Sequence, residues 1–357
     1  MKINRSDITR LKSERRKRFK NSVKSLLDGK TDSAKENIEW INLSTELISK
    51  STERRNFQWA LLIGIVCLII ISLGFTMHVR TAQVSVEIIA SGVSFSFAED
   101  WRSEQALIGD TFYINKVKTV HSSLIPQIYH SSQPGLLELS GSDIELKNIA
   151  FSKSGYIDMQ KQRDNLILDV KNSRVFGRFS LRTGIIVIND DADTLDIPAR
   201  RPKLTYTFET DSVTGIADNL HLDIGNLENL DLNNLNISEA TFRVENPPGS
   251  GQFESTIHHG NIHLFDTKEK INILENEKLF IKAVDCRQAR VFLSNDKIGF
   301  KFVGKINALS GGFQNISKNY KPTYLKYFYH NQQLALFWSA LVFLFGIIWS
   351  IKNSLFR

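Results

Sequence analysis

Three histidines stand close together in Ile257-His258-His259-Gly260-Asn261-Ile262-His263, and on a helix His259 and His263 would share a face and could ligate zinc. The surrounding residues instead predict a strand or turn. On one face of a strand, positions four apart lie about 13 Å from each other. Ligand bonds to zinc are near ~2 Å, so this pair cannot clasp one ion. Acidic residues gather once, at Asp190, Asp191, Asp193 and Asp196. A calcium loop begun at Asp191 would place Leu195 where an oxygen ligand is needed and Asp196 where a glycine is needed, so a solvated turn is expected. The chain has no Gly-x-Ser-x-Gly elbow, phosphate-cradling loop or HExxH helix. Neither catalysis nor a cofactor is expected from these residues.

Other residues carry physical rather than catalytic chemistry. Arg15, Arg16, Lys17, Arg18 and Lys20 form a basic run whose apolar neighbours recur with an imperfect helical period, a pattern suited to anionic lipid or to a solvated tail that fixes topology. The run lacks interleaved aromatics, which argues against nucleic acid as its partner. Near the other end, Tyr320, Tyr324, Tyr327, Phe328 and Tyr329 precede an apolar stretch, as an interfacial belt would; Trp338 and Trp349 flank that stretch. Tyr324, Tyr327, Phe328, Tyr329, Trp338 and Trp349 are therefore expected as anchors.

These residues are positioned by two apolar stretches that enclose a water-compatible middle. Phe57–Met77 carries no ionisable residue and would reach about 31 Å as a helix; Leu334–Ile351 would reach about 27 Å. Residues 1–56 hold 15 Lys/Arg against 8 Asp/Glu, a difference of +7 that equals the net charge of the whole chain. Lys50, Arg54 and Arg55 directly precede the first stretch, which predicts an uncleaved signal anchor with both termini cytoplasmic and residues 80–330 exported. The two cysteines are Cys67, inside the first stretch, and Cys286, outside it, so the exported region is expected to fold without a disulfide. That pattern suits a bacterial inner membrane, although Asn236-Ile237-Ser238 and Asn315-Ile316-Ser317 would be glycan acceptors in a eukaryotic lumen. Ala60 and Gly64, and likewise Ala335 and Ser339, are small residues four apart that would let helices approach, which predicts a homo-oligomer through the first span.

Within the inner tail, Ser33-Ala34-Lys35-Glu36 has the form of a capping box, and a helix is expected from about residue 34 into the membrane. After Arg80 the period becomes alternating, as in Val84-x-Val86-x-Ile88, Val93-x-Phe95-x-Phe97, Leu166-x-Leu168-x-Val170 and Ile298-x-Phe300-x-Phe302. Turn signals fall at Gln133-Pro134-Gly135, at Ile197 to Pro202, and at Asn246 to Gly251, the last a candidate boundary between regions 80–245 and 252–330. Ile144-x-Leu146-x-x-Ile149-x-Phe151 and Leu230-x-Leu232-x-x-Leu235-x-Ile237 share one spacing, in which a break of three lets a strand pass a bulge and still face the core. The expected fold is a pair of transmembrane helices flanking a mainly-β extracytoplasmic domain, a jelly roll or sandwich in preference to a short β-solenoid. The expected function is a membrane-anchored interaction or scaffold subunit of an envelope complex, with protein partners on both sides of the bilayer. An envelope lipid or glycan transport factor and a two-span sensor are the alternatives.

Overall fold

The computed structural model describes residues 5–122, 129–188, 193–197, 203–211, 219–246, 250–313, 317–331 and 333–355. It is mostly β and divides into two compact units, one of Met1–Thr76 with Leu334–Arg357 and one of Met77–Gln333. The first unit is helical. Helix α1 (Arg5–Leu27) and helix α2 (Thr31–Thr76) pack as a hairpin across Asp28-Gly29-Lys30, where Gly29 takes φ +71. Helix α2 begins at Thr31, before the expected capping box, because the αL glycine reverses the chain early and Lys30 already accepts from the Ala34 amide at 3.3 Å. Its Phe57–Thr76 portion is the one helix among the described residues that is long and apolar enough by itself to cross a membrane. The second expected span lies in α4 (Leu334–Leu355); its Ala335–Ser350 portion meets the same measure only when joined to α3 (Tyr324–His330).

The second unit consists of strands whose sequence alternates. The first half holds β1 (Ala82–Ala90), β2 (Gly92–Phe97), β3 (Trp101–Arg102), β4 (Leu107–Ser122), β5 (Tyr129–Phe151), β6 (Tyr156–Gln162), β7 (Asn165–Lys171), β8 (Val175–Leu181), β9 (Thr183–Ile188) and β10 (Asp193–Ile197). The second half holds β11 (Leu204–Thr210), β12 (Leu220–Gly225), β13 (Asp231–Leu235), β14 (Ile237–Thr241), β15 (Arg243–Glu245), β16 (Phe253–Ser255), β17 (Ile257–Leu264), β18 (Glu269–Ile273), β19 (Lys278–Ser294), β20 (Lys297–Gly312) and β21 (Lys318–Asn319). All but β15 and β16 join one large sheet in which every described pairing between these strands is antiparallel. A short β-solenoid is thereby corrected: its stacked coils would pair in parallel, and here neighbouring strands run in opposite directions. Strands on the two sides of Asn246–Gly251 hydrogen-bond each other, β14 with β19 and β1 with β17.

One continuous core fills the inside of this sheet, from Val84, Val86 and Ile88 through Phe112, Phe179 and Leu222 to Phe300 and Phe302. Burying one such side chain contributes roughly 1.5–3 kcal/mol, which a disulfide-free domain of this size can rely on. Both sequence breaks of three are bulges. Register shifts between Lys147 and Ala150 on β5 and between Leu232 and Leu235 on β13, while Asn148 and Asn234 take φ +54 and Ile149, Phe151, Leu235 and Ile237 return to the core. The turn expected at Gln133-Pro134-Gly135 is absent as a turn. Pro134 and Gly135 lie inside β5, at a shift between the pairs Val117 with Gly135 and Thr119 with His130, a place where proline needs no ladder hydrogen bond. Most of the Ile197 to Pro202 signal, the residues Asp190 and Asp191, and Asn315-Ile316 fall outside the described residues.

Candidate anion-binding cleft

The sheet closes on itself where β4 pairs with β5, β5 with β8, β8 with β11 and β11 with β4. Two rows of side chains cross the outer face of this ring. One row runs Arg102, Ala150, Phe176, Glu209, Thr119, and the next runs Lys147, Arg178, Thr207, His121. The bulge at Asn148 separates the rows on β5, and Ala150 provides only a methyl group between Arg102 and Phe176. A depression results, with two adjoining lobes of about 350 and 340 Å³ that share Arg102, Arg174 and Phe176. Thr119, Asn148, Arg178, Thr207 and Glu209 line the first lobe; Asp100, Ala150, Ser152 and the segments of Trp101 and Phe151 line the second.

Local structure fixes these groups. Trp101 and Phe151 turn their rings into the core, where they stack with centroids 6.0 Å apart and the indole donates to the Asn233 carbonyl at 3.0 Å, so the strands under the second lobe are pinned from inside. Gly177 lets the Phe208 ring pass beneath β8, since a Cβ there would lie 2.9 Å from that ring. Phe176 is 38 % exposed, and the Arg102 guanidinium stands 5.2 Å from its centroid, a cation–π pair that holds both planes at the cleft. Arg174 pairs with Glu209 at 3.1 Å. Among the described residues Arg102 and Arg178 make no ion pair. On the same face Glu145 binds both Lys147 and Lys203 at 2.7 Å; hydrogen bonds from these two amines hold its carboxyl down to about 2, so it is ionised at any physiological pH. The cleft can attract anions, stack rings and donate hydrogen bonds.

A second polar row crosses the outer face elsewhere, through Ser94, Asp158, Asp169 and His221 on β2, β6, β7 and β12. Ser94 donates to Asp158 at 3.0 Å, and burial, reinforced by the charge of Asp169, pushes the Asp158 carboxyl upward. His221 Nδ1 lies 2.9 Å from Asp169, whose hydrogen bond raises the imidazole. The row is two hydrogen-bonded pairs, Ser94 with Asp158 and His221 with Asp169, set side by side without a freed nucleophile. No group of three or more His, Cys, Asp or Glu side chains that could hold a metal occurs among the described residues.

The residues singled out from sequence have diverse positions. His258, His259 and His263 lie on β17, as the alternation predicts, with His263 against the edge of Phe265. Arg18 sits 4.7 Å above the Trp40 ring and Arg15 donates to Thr45 at 3.4 Å, so these two of the basic run face α2, while Arg16, Lys17 and Lys20 are exposed. Tyr320 is buried, Tyr324 and Tyr327 pack against the β core, and Tyr329 points outward, so the aromatic belt is divided between fold and surface. Trp338 and Trp349 are exposed on α4. Helices α2 and α4 meet, and among the described residues Ile63 of the Phe57–Thr76 portion and Leu341 of α4 are buried; Gly64, Ala335 and Ser339 are exposed, and Ala60 lies in α2. The cleft has no contiguous sequence signature, because Arg102 on β3 stands 72 residues before Arg174, which directly precedes β8. The one local signal was charged and aromatic residues alternating as Arg174-x-Phe176-x-Arg178 on the exposed side of a strand. The chain matches no protein-family model, no curated protein and no solved structure.

Proposed function

We propose that this chain is a membrane-anchored interaction subunit whose β unit is presented outside a bacterial inner membrane and engages an envelope partner through the arginine-lined cleft. Two helices, Phe57–Thr76 within α2 and α4, would anchor it, with both termini cytoplasmic and the α1–α2 hairpin available to a protein partner inside. A jelly-roll or sandwich description fits the closed antiparallel ring. The observation that carries this function is the cleft, a preformed charged and aromatic depression on a rigid closed sheet. Its support for the anchoring is that the β unit begins one residue after the apolar helix and that its first and last segments are hydrogen-bonded neighbours, Val79 amide to Pro322 carbonyl at 3.0 Å and Tyr324 amide to Met77 carbonyl at 3.0 Å.

Two measurements test it. Reporter fusions at Gly249 should be active only outside the inner membrane, and fusions at Arg357 only inside; the reverse pattern would falsify the anchoring. A photo-crosslinker at Thr207 should capture an envelope component, whereas one at Lys301, on β20, should not. A second function, a factor that handles envelope glycan or lipid, is favoured by the exposed Phe176 between Arg102 and Arg174.

A further inference from the structure

We propose that the cleft binds a linear anionic saccharide, a chain of pyranose rings bearing carboxylate or phosphate groups. This rests on the interaction function given above and names its ligand. Shape is the first argument. Two lobes of nearly equal size share a ridge of Arg102, Arg174 and Phe176, so a ligand of repeating units can place one ring in each lobe and its linkage across the ridge.

Chemistry is the second. Arg102 and Arg178 offer planar forks that make paired hydrogen bonds to carboxylate or phosphate, and neither makes an ion pair among the described residues; Asp100, which lines the second lobe with Arg102, is occupied by the Lys153 amide at 2.6 Å. Arg174 is half-neutralised by Glu209, which can also accept from a sugar hydroxyl. Phe176, which lines both lobes, presents an exposed apolar ring on which the C–H face of a pyranose can lie. Thr119, Thr207, Asn148 and Ser152 add hydroxyl and amide groups matched to sugar hydroxyls.

The backbone decides against an acidic peptide. Extended peptides gain affinity by adding to an exposed sheet edge, but β8 is hydrogen-bonded on both sides, to β5 and β11, and β11 to β8 and β4. Along β8 and β11 only side chains are available, which suits a ligand recognised by charge, rings and hydroxyls.

The test uses the full chain in nanodiscs of neutral lipid, titrated calorimetrically with tetragalacturonate, cellotetraose, tetraglutamate, a four-nucleotide oligothymidylate and inorganic phosphate. Tetragalacturonate should bind at least tenfold more tightly than any of the others. Its affinity should fall at least tenfold in Arg102→Gln/Arg178→Gln and several-fold in Phe176→Leu, with unchanged melting temperatures, while Lys118→Gln, basic and exposed outside the cleft, should bind as before. Absence of saccharide binding, equal binding of tetraglutamate or oligothymidylate, displacement by millimolar phosphate, or indifference to the cleft substitutions each overturns the proposal. A protein captured at Thr207 without saccharide binding would overturn the saccharide alone and leave the interaction function standing. A failed reporter pattern with intact saccharide binding would do the opposite.

Discussion

Glu145 illustrates how a single carboxylate ties strand to loop. Its bonds to Lys147 and Lys203 place its titration near 2 instead of 4.5. A carboxyl whose folded value is depressed stabilises the fold above its unfolded value, and that contribution is lost as pH falls from about 4.5 through 2. All three groups retain solvent contact, so screening reduces the effect to about 1 kcal/mol. Glu145→Gln should therefore lower stability by about 1 kcal/mol at pH 7 and leave it unchanged at pH 2, measured by chemical denaturation. His221 works in the reverse sense. Asp169 raises its imidazole, so its contribution is present below about 6.5 and lost as pH rises through the folded value; Asp169→Asn should lower the NMR titration midpoint of His221. Buried Glu277 accepts from the Leu274 amide and from the Tyr320 hydroxyl, and Tyr320→Phe leaves a carboxylate oxygen without its donor. That change should cost about 1–3 kcal/mol, read in the same denaturation experiment.

Elements were legible where one face of the chain is buried and obscure where it is not. Alternation in Val84 to Ile88, Val93 to Phe97, Leu166 to Val170 and Ile298 to Phe302 corresponds to β1, β2, β7 and β20, because burial of one sheet face imposes a period of two on sequence. The two breaks of three were legible as bulges for the same reason. Each bulge places an asparagine in the left-handed region, which asparagine tolerates and β-branched residues do not. Asn234→Gly should be nearly neutral and Asn234→Val should cost about 1–2 kcal/mol, measured as a shift in melting temperature. Helix α1 was harder to read as one half of a hairpin. Its face toward α2 carries Arg15, Arg18 and Ser22 rather than an apolar stripe, and the Trp40 ring beneath Arg18 substitutes for hydrophobic packing. The cleft was least legible, since outward side chains on five strands become neighbours only through register, which one strand's pattern does not encode.

At the scale of the whole molecule, the β unit starts and finishes at one place. His78 bridges to Thr323, and Lys321 reaches back to the Arg80 carbonyl at 3.3 Å and the Asn307 carbonyl at 2.6 Å. Entry and exit are thus pinned to each other by main-chain bonds as well as by a lysine. A unit whose ends coincide is an insertion in the topological sense: cut out, it leaves a gap that a few residues can close. Under the proposed anchoring, replacing residues 79–322 by a short Gly/Ser turn should yield a chain that is recovered in the carbonate-resistant membrane fraction. The β unit can in that sense be lifted out or exchanged at one loop without altering a residue of α2 or α4.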